Sequence, residues 1–181
     1  IELDYSKLIG SQYANIDIYN ELGRGSSCVV YYGYHNTLKE DIAVKILAQS
    51  KRLSYNNEID INAVLSHSNI VPVYETGVTN NSCFIVMKAI QGKDLHEFLS
   101  YAGKFTPQNC FDLIVPILDA LEYCHNNNVV HCDIKPANIL LRADESVVLT
   151  DFGIARAMSE DTGLTLAGSV VGTPKYMSPE Q

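Results

Sequence analysis

The sequence predicts an α+β chain in two lobes, a strand-rich lobe followed by a helix-rich one. Three observations predict it. Short β-branched and aromatic runs separated by turn residues fill the first ninety positions. After Gly92 the apolar residues recur at helical spacing instead. A glycine-rich turn, Gly23-Arg24-Gly25, joins the first two runs as in a hairpin. The boundaries drawn from this change are an N-terminal extension over 1–15, a first lobe over 16–90 and a second over 91–181.

Ile16 to Leu22 and Val29 to Tyr34 are rich in β-formers and read as strands. A third, apolar strand covers Ile42 to Leu47. Residues from Lys51 to Ser66 lack Gly and Pro and place Leu53, Ile59 and Ala63 on one helical stripe. Strands are expected over Ile70 to Tyr74 and Cys83 to Met87, separated by Gly77 and the turn-like Asn80-Asn81-Ser82. Asp94 to Tyr101 reads as a short helix. Thr106-Pro107 is an N-cap and first-turn pair for a longer one. On that helix Phe111, Ile114, Leu118, Leu121 and Cys124 recur at helical spacing, ending near Asn126-Asn127-Asn128. The pair Val129-Val130, a polar loop and two small strands follow, Ile139 to Leu141 and Val147 to Leu149. The sequence has no internal repeat and no low-complexity tract.

At 181 residues, 46% hydrophobic and 19% charged, the composition is that of a globular domain with material for a real core. Thirteen basic and 21 acidic residues give a net charge of −8, which makes nucleic acid a poor partner. A phosphate ligand would need positive potential collected locally, from a lysine, backbone N–H groups and metal ions. The five cysteines, Cys28, Cys83, Cys110, Cys124 and Cys132, are odd in number and show no CxxC spacing, so reduced thiols are expected. No apolar run reaches the length of a membrane span, and the first residues carry no signal-peptide core. The expected location is the cytoplasm, or the cytosolic part of a longer protein.

Chemistry-bearing residues fall in four places. The loop from Gly23 to Val30 offers glycines that let backbone N–H groups approach phosphates, though by itself it fits an ordinary tight hairpin equally well. Lys45 lies in Ala43-Val44-Lys45 on an apolar strand, where an ammonium needs an anionic partner unless it faces solvent. The loop His131-Cys132-Asp133-Ile134-Lys135-Pro136-Ala137-Asn138 sets an acid, a base and an amide within six residues. Asp133 could accept a hydroxyl proton, Lys135 could neutralise a moving phosphoryl group and Asn138 could ligate a metal. Asp151-Phe152-Gly153 then supplies a hard carboxylate suited to Mg²⁺.

Taken in order, these elements resemble the protein kinase family over roughly residues 16–181. Glu58 on the expected helix, His67-Ser68-Asn69-Ile70-Val71 and Ser178-Pro179-Glu180 add to the resemblance. Lys135 and Gly172-Thr173 resemble serine/threonine kinases, and Asp151 to Arg156 with the closing Ser178 to Gln181 is similar to bacterial kinases of the eukaryotic type. The resemblance implies a two-lobed kinase fold, with an antiparallel sheet and one main helix in the first lobe. It implies ATP and Mg²⁺ as cofactors and a protein with Ser or Thr as substrate. Gly23, Gly25, Ser26 and Val30 would cover the phosphates, with Ala43 at the nucleotide. Lys45 would bind phosphate and pair with Glu58. Met87 would be the gatekeeper, with Lys88 to Ile90 the hinge that hydrogen-bonds adenine. Asp133 would be the catalytic base, Lys135 a phosphate contact, and Asn138 and Asp151 the metal ligands.

The sequence departs from the family pattern at four points. Cys28 replaces the third glycine, Cys132 replaces the arginine that usually grips a phosphorylated loop, and Asn62 stands at a normally apolar position. The chain also ends at Gln181, before the helices that complete the second lobe in the family. An exposed apolar face on the long helix (Phe111, Ile114, Leu118, Leu121) is expected, which a second copy or another chain could cover. The alternative to an enzyme is a nucleotide-binding or pseudokinase-like scaffold. The filled positions Lys45, Glu58, Asp133, Lys135, Asn138 and Asp151 favour the enzyme.

Overall fold

The structure, a computed structural model, describes residues 15–25, 28–48, 65–78, 82–152, 156–157 and 173–177. The chain divides into two units, residues 1–59 with 72–90 and residues 60–71 with 91–181.

The first unit is a five-stranded antiparallel sheet made of β1 (Ile16–Arg24), β2 (Cys28–His35), β3 (Glu40–Ala48), β4 (Val73–Val78) and β5 (Ser82–Lys88). The strand order is β1-β2-β3-β5-β4. Because side chains alternate across a sheet, the register sorts its residues onto two faces. One face gathers Ile42, Val44, Ile46, Phe84 and Val86 into a buried cluster, with Tyr31 and Tyr74 packed against it. The other gathers Leu47, Cys83 and Ile85 with Cys28, Val73 and Met87.

Three expectations need correction here. β1 runs to Arg24, with Gly23 opposite Val30 and Arg24 opposite Val29, so Gly23 and Arg24 belong to the strand and not to the turn. The strand expected over Ile70 to Tyr74 begins only at Val73. Ile70 instead bridges Leu149, and Pro72, which has no N–H to donate, contributes its carbonyl to the Lys88 N–H. Gly77 lies within β4 opposite Phe84 rather than in a turn. The helix expected from Lys51, with its stripe of Leu53, Ile59 and Ala63, lies outside the described residues, as does Asn62.

Glycine is required for packing at Gly33. A Cβ there would stand 2.3 Å from the Asp17 carbonyl oxygen, where β1 is bulged between Ile18 and Asn20. Backbone cannot yield as a flexible side chain can. Gly33→Ala is therefore expected to lower unfolding stability by about 1–3 kcal/mol in urea titrations. Gly23→Ala, whose Cβ would meet no atom within 4 Å, should stay within about 0.5 kcal/mol of the parent. Equal stability in both variants would contradict the close approach at Gly33.

The second unit starts with β6 (Gly92–Asp94) and α1 (Leu95–Ala102). Asp94 is the cap of that helix rather than its first residue, accepting from the Glu97 N–H at 2.8 Å. The longer α2 (Pro107–Asn126) is capped by Thr106, whose hydroxyl accepts from the Asn109 N–H, with Pro107 in the first turn. The helix ends where Asn127 folds back, its side-chain amide donating to the Tyr123 carbonyl, and Asn128 takes φ 59°. β7 (Val129–Val130), β8 (Ile139–Arg142), β9 (Val147–Leu149) and β10 (Arg156–Ala157) form a three-stranded sheet, β6-β8-β9, and the pair β10-β7.

The apolar stripe of α2 also needs correction. Leu113, Ile117, Ala120 and Cys124 are buried against Ile139, Val147, Leu149 and Phe152. Of the expected stripe only Cys124 joins them fully, and Leu121 packs at the margin. Phe111, Ile114 and Leu118 are 66%, 43% and 57% exposed, as the expected outward face requires. Burial pushes the Cys124 thiol up to about 11, so it is an inert core group. Among the described residues no cysteine is in a disulfide, and no helix is long and apolar enough to cross a membrane.

Candidate active site

In the first unit the register brings the expected nucleotide residues onto one face. Val30 pairs with Lys45, Lys45 with Ile85, and Ala43 with Met87. Paired residues in neighbouring strands project the same way. Val30, Ala43, Lys45 and Met87 thus share a face with Leu47, Cys83 and Ile85. Lys45 is only 6% exposed on this apolar surface. A buried ammonium must be offset by anions, and phosphate oxygens are suited to that.

The glycine loop contributes differently. The Gly25 N–H donates to the Cys28 carbonyl at 2.9 Å, which closes the start of the turn. Gly23 has neither a positive φ nor a protein atom where its Cβ would be. No packing or backbone strain among the described residues explains a glycine there. Ser26 and Glu58 lie outside the described residues. After Met87, the Lys88 N–H donates to Pro72 and the Ala89 N–H to the Asp41 carbonyl at 3.1 Å, and Ile90 is half-buried.

In the second unit the loop from His131 to Asn138 is held from inside. His131 is 1% exposed, with Nε2 bonded to the Thr150 carbonyl at 3.0 Å and Nδ1 accepting from the Asp133 N–H at 3.3 Å. Both ring nitrogens are therefore used by a neutral imidazole, and burial lowers its tendency to protonate. Phe152 packs against the ring, with centroids 4.6 Å apart. Cys132 next to it takes φ 65° and Asp151 φ 67°. Left-handed backbone at two non-glycine residues concentrates strain at these two loops.

Asp133 is 8% exposed and stands at the centre of a hydrogen-bond cluster. Lys135 Nζ donates to its Oδ2 at 2.6 Å, and the Thr173 hydroxyl donates to its Oδ1 at 2.8 Å. Lys135 Nζ also reaches Thr173 Oγ1 at 3.0 Å. A 3-10 turn over Pro136–Asn138 carries Asn138 back over the loop. There its amide nitrogen donates to the Asp133 carbonyl at 2.8 Å and to Oδ2 at 3.2 Å. Burial alone would push the Asp133 carboxyl up. The bonds from Lys135 and Thr173, the lysine charge and the Asn138 amide outweigh it and hold the group below the ordinary carboxylate range. Asp133 is thus an anion at neutral pH.

With its nitrogen committed to Asp133, the buried Asn138 amide presents its oxygen the other way, as a hard cation requires. An amide oxygen with the Asp151 carboxylate is a donor set suited to Mg²⁺. A cavity of about 320 Å³ adjoins Asp133 and Thr173, with walls from Cys132, Ile134, Tyr176 and Met177.

Thr173 joins this cluster although the sequence assigned it no role in the site. It stands forty positions beyond Asp133 in the chain. Its one sequence signal was the dipeptide Gly172-Thr173, read as a mark of serine/threonine kinases.

Comparison with known proteins shows the family. Residues 16–181 match the protein kinase domain family. Serine/threonine-protein kinase PknB of Mycobacterium leprae is 36% identical over 170 residues, covering 88% of this chain and 27% of that protein. A probable serine/threonine-protein kinase of Streptomyces coelicolor is 40% identical over 172 residues, 88% of this chain and 25% of its own length. Serine/threonine-protein kinase PknD of Mycobacterium tuberculosis is 36% identical over 179 residues, 96% of this chain and 27% of its own length. The chain spans about a quarter of the length of these relatives. With the match running from the first strand to Gln181, this chain belongs to the protein kinase family.

Proposed function

We propose that the chain transfers the γ-phosphoryl group of Mg-ATP to a serine or threonine hydroxyl of a protein. The observation that carries this is the Asp133 cluster, a buried carboxylate kept ionised by Lys135, Thr173 and Asn138. Asp133 accepts the proton of the attacking hydroxyl, and Lys135, already beside it, neutralises charge on the moving group. Thr173 orients the carboxylate through its own hydroxyl. Asn138 and Asp151 would hold Mg²⁺, which when bound would supply positive charge to the phosphate oxygens. Lys45 binds the phosphates, the Gly23–Val30 loop covers them, and the backbone of Lys88 to Ile90 reads adenine. The cavity beside Asp133 receives part of the protein substrate. The relatives' names, which say serine/threonine-protein kinase, support the choice of hydroxyl. The acidic balance of the chain supports a protein rather than a nucleic acid as acceptor.

Radiolabelled transfer from Mg-ATP to a generic basic protein and to the chain itself tests this reading. Transfer is expected with the parent chain and absent with Asp151→Ala. Binding of ATP with no transfer by the parent would instead support a nucleotide-binding scaffold.

A further inference from the structure

The end of β5 is tied down on the side of the sheet away from Lys45. Lys88 pairs with Ile42, which places its side chain on the face of Ile42, Val44 and Phe84. Glu40 lies two residues before Ile42 on the same strand, so it projects to that face too. β4 carries a register shift between Val73 and Glu75, which leaves Tyr74 as the extra residue and turns it onto the same cluster.

These three side chains meet. The Tyr74 hydroxyl donates to Glu40 Oε2, and Lys88 Nζ stands 3.6 Å from the same oxygen. One carboxylate thereby bridges three strands where the sheet ends. Tyr74 is driven well up, to about 12, by burial and by its bond to Glu40, so it remains a donor across the neutral range. Two backbone bonds complete the tie, from the Lys88 N–H to Pro72 and from the Ala89 N–H to Asp41. Every segment in this ring adjoins the backbone of Lys88 to Ile90, and none of the three side chains projects to the Lys45 face.

We infer that Glu40, with Tyr74, is a positioning residue for the adenine-reading edge Lys88–Ile90, acting from the opposite face of the sheet. This rests on the assignment of that edge to adenine. A strand end that is already ordered loses less entropy when a base hydrogen-bonds to it, so the tie raises affinity without touching the ligand. The effect belongs to the base and not to the phosphates, which Lys45 and the glycine loop hold.

Calorimetric titration of the parent chain, Glu40→Gln and Tyr74→Phe with Mg-ATP and with magnesium tripolyphosphate separates these contributions. Tripolyphosphate carries the phosphates and no base. Each variant is expected to bind ATP about three- to tenfold more weakly and tripolyphosphate as the parent does. The double variant should be no weaker than the weaker single one, because both substitutions break one bridge. ATP affinity unchanged in both variants overturns the inference and leaves the kinase reading standing. An equal loss for tripolyphosphate also overturns it, since that is general loosening of the sheet. A parent chain that binds no ATP overturns the kinase reading, and the inference with it.

Discussion

Asp133→Asn lowers phosphate transfer by about two to four orders of magnitude and leaves ATP affinity within about threefold of the parent. The substitution keeps the shape of the side chain and removes its charge. In the parent, three donors converge on the two carboxylate oxygens, from Lys135, Thr173 and Asn138. An amide has one acceptor oxygen and brings an NH₂ group of its own, so at least one donor faces another. Thr173 can reverse its hydroxyl and accept, but the Lys135 ammonium cannot. With its amide oxygen toward Lys135 and Asn138 and its NH₂ group toward Thr173, the variant keeps the cluster together but loses the anionic proton acceptor. The loop itself should survive, because the His131 bond is to the Asp133 backbone N–H. Single-turnover transfer with saturating Mg-ATP reads the chemical step directly. Equal rates in parent and variant would remove Asp133 from the role of base.

Lys45→Met should weaken Mg-ATP binding by about 10- to 100-fold while shifting the unfolding midpoint by no more than about 4 °C. Lys45 is buried between Val30 and Ile85, beside the apolar Leu47, Cys83 and Met87. Methionine has a similar length and fills the same space, which keeps the packing of that face. The charge-assisted bonds that an ammonium makes to phosphate oxygens have no counterpart in a thioether. The two readouts therefore move apart, which a lysine with a purely structural role would not produce. Titration calorimetry and thermal unfolding of the same preparations measure both. Unchanged ATP affinity would make Lys45 an ordinary strand residue.

Local chemistry was legible wherever it is written in neighbouring residues. The cap of α2 follows from Thr106-Pro107, because capping needs only an oxygen a few residues from the orphan N–H. The catalytic loop follows from the spacing of Asp133, Lys135 and Asn138, which a single turn over Pro136–Asn138 folds back on itself. The strands β2, β3 and β5 follow from runs of β-branched and aromatic residues.

What was not legible depends on choices between equals. Both sides of α2 are apolar, so periodicity alone offers Phe111, Ile114 and Leu118 as readily as Leu113, Ile117 and Ala120. Contact with β9 and Phe152 decides it. The strand expected at Ile70 is broken by a pairing with Leu149, seventy-nine positions away in sequence, which no local pattern encodes.

By itself the sequence determined the family and the order of the described elements, and it put forward Asp133, Lys135, Asn138 and Asp151 for the site. Each of these is a matter of residue type at short spacing. Tertiary structure alone decided which face of α2 is core, that Thr173 completes the Asp133 cluster, and that Glu40, Tyr74 and Lys88 meet. Those depend on chain segments distant in sequence being held within 3–4 Å, and burial and strand register, rather than composition, set such distances.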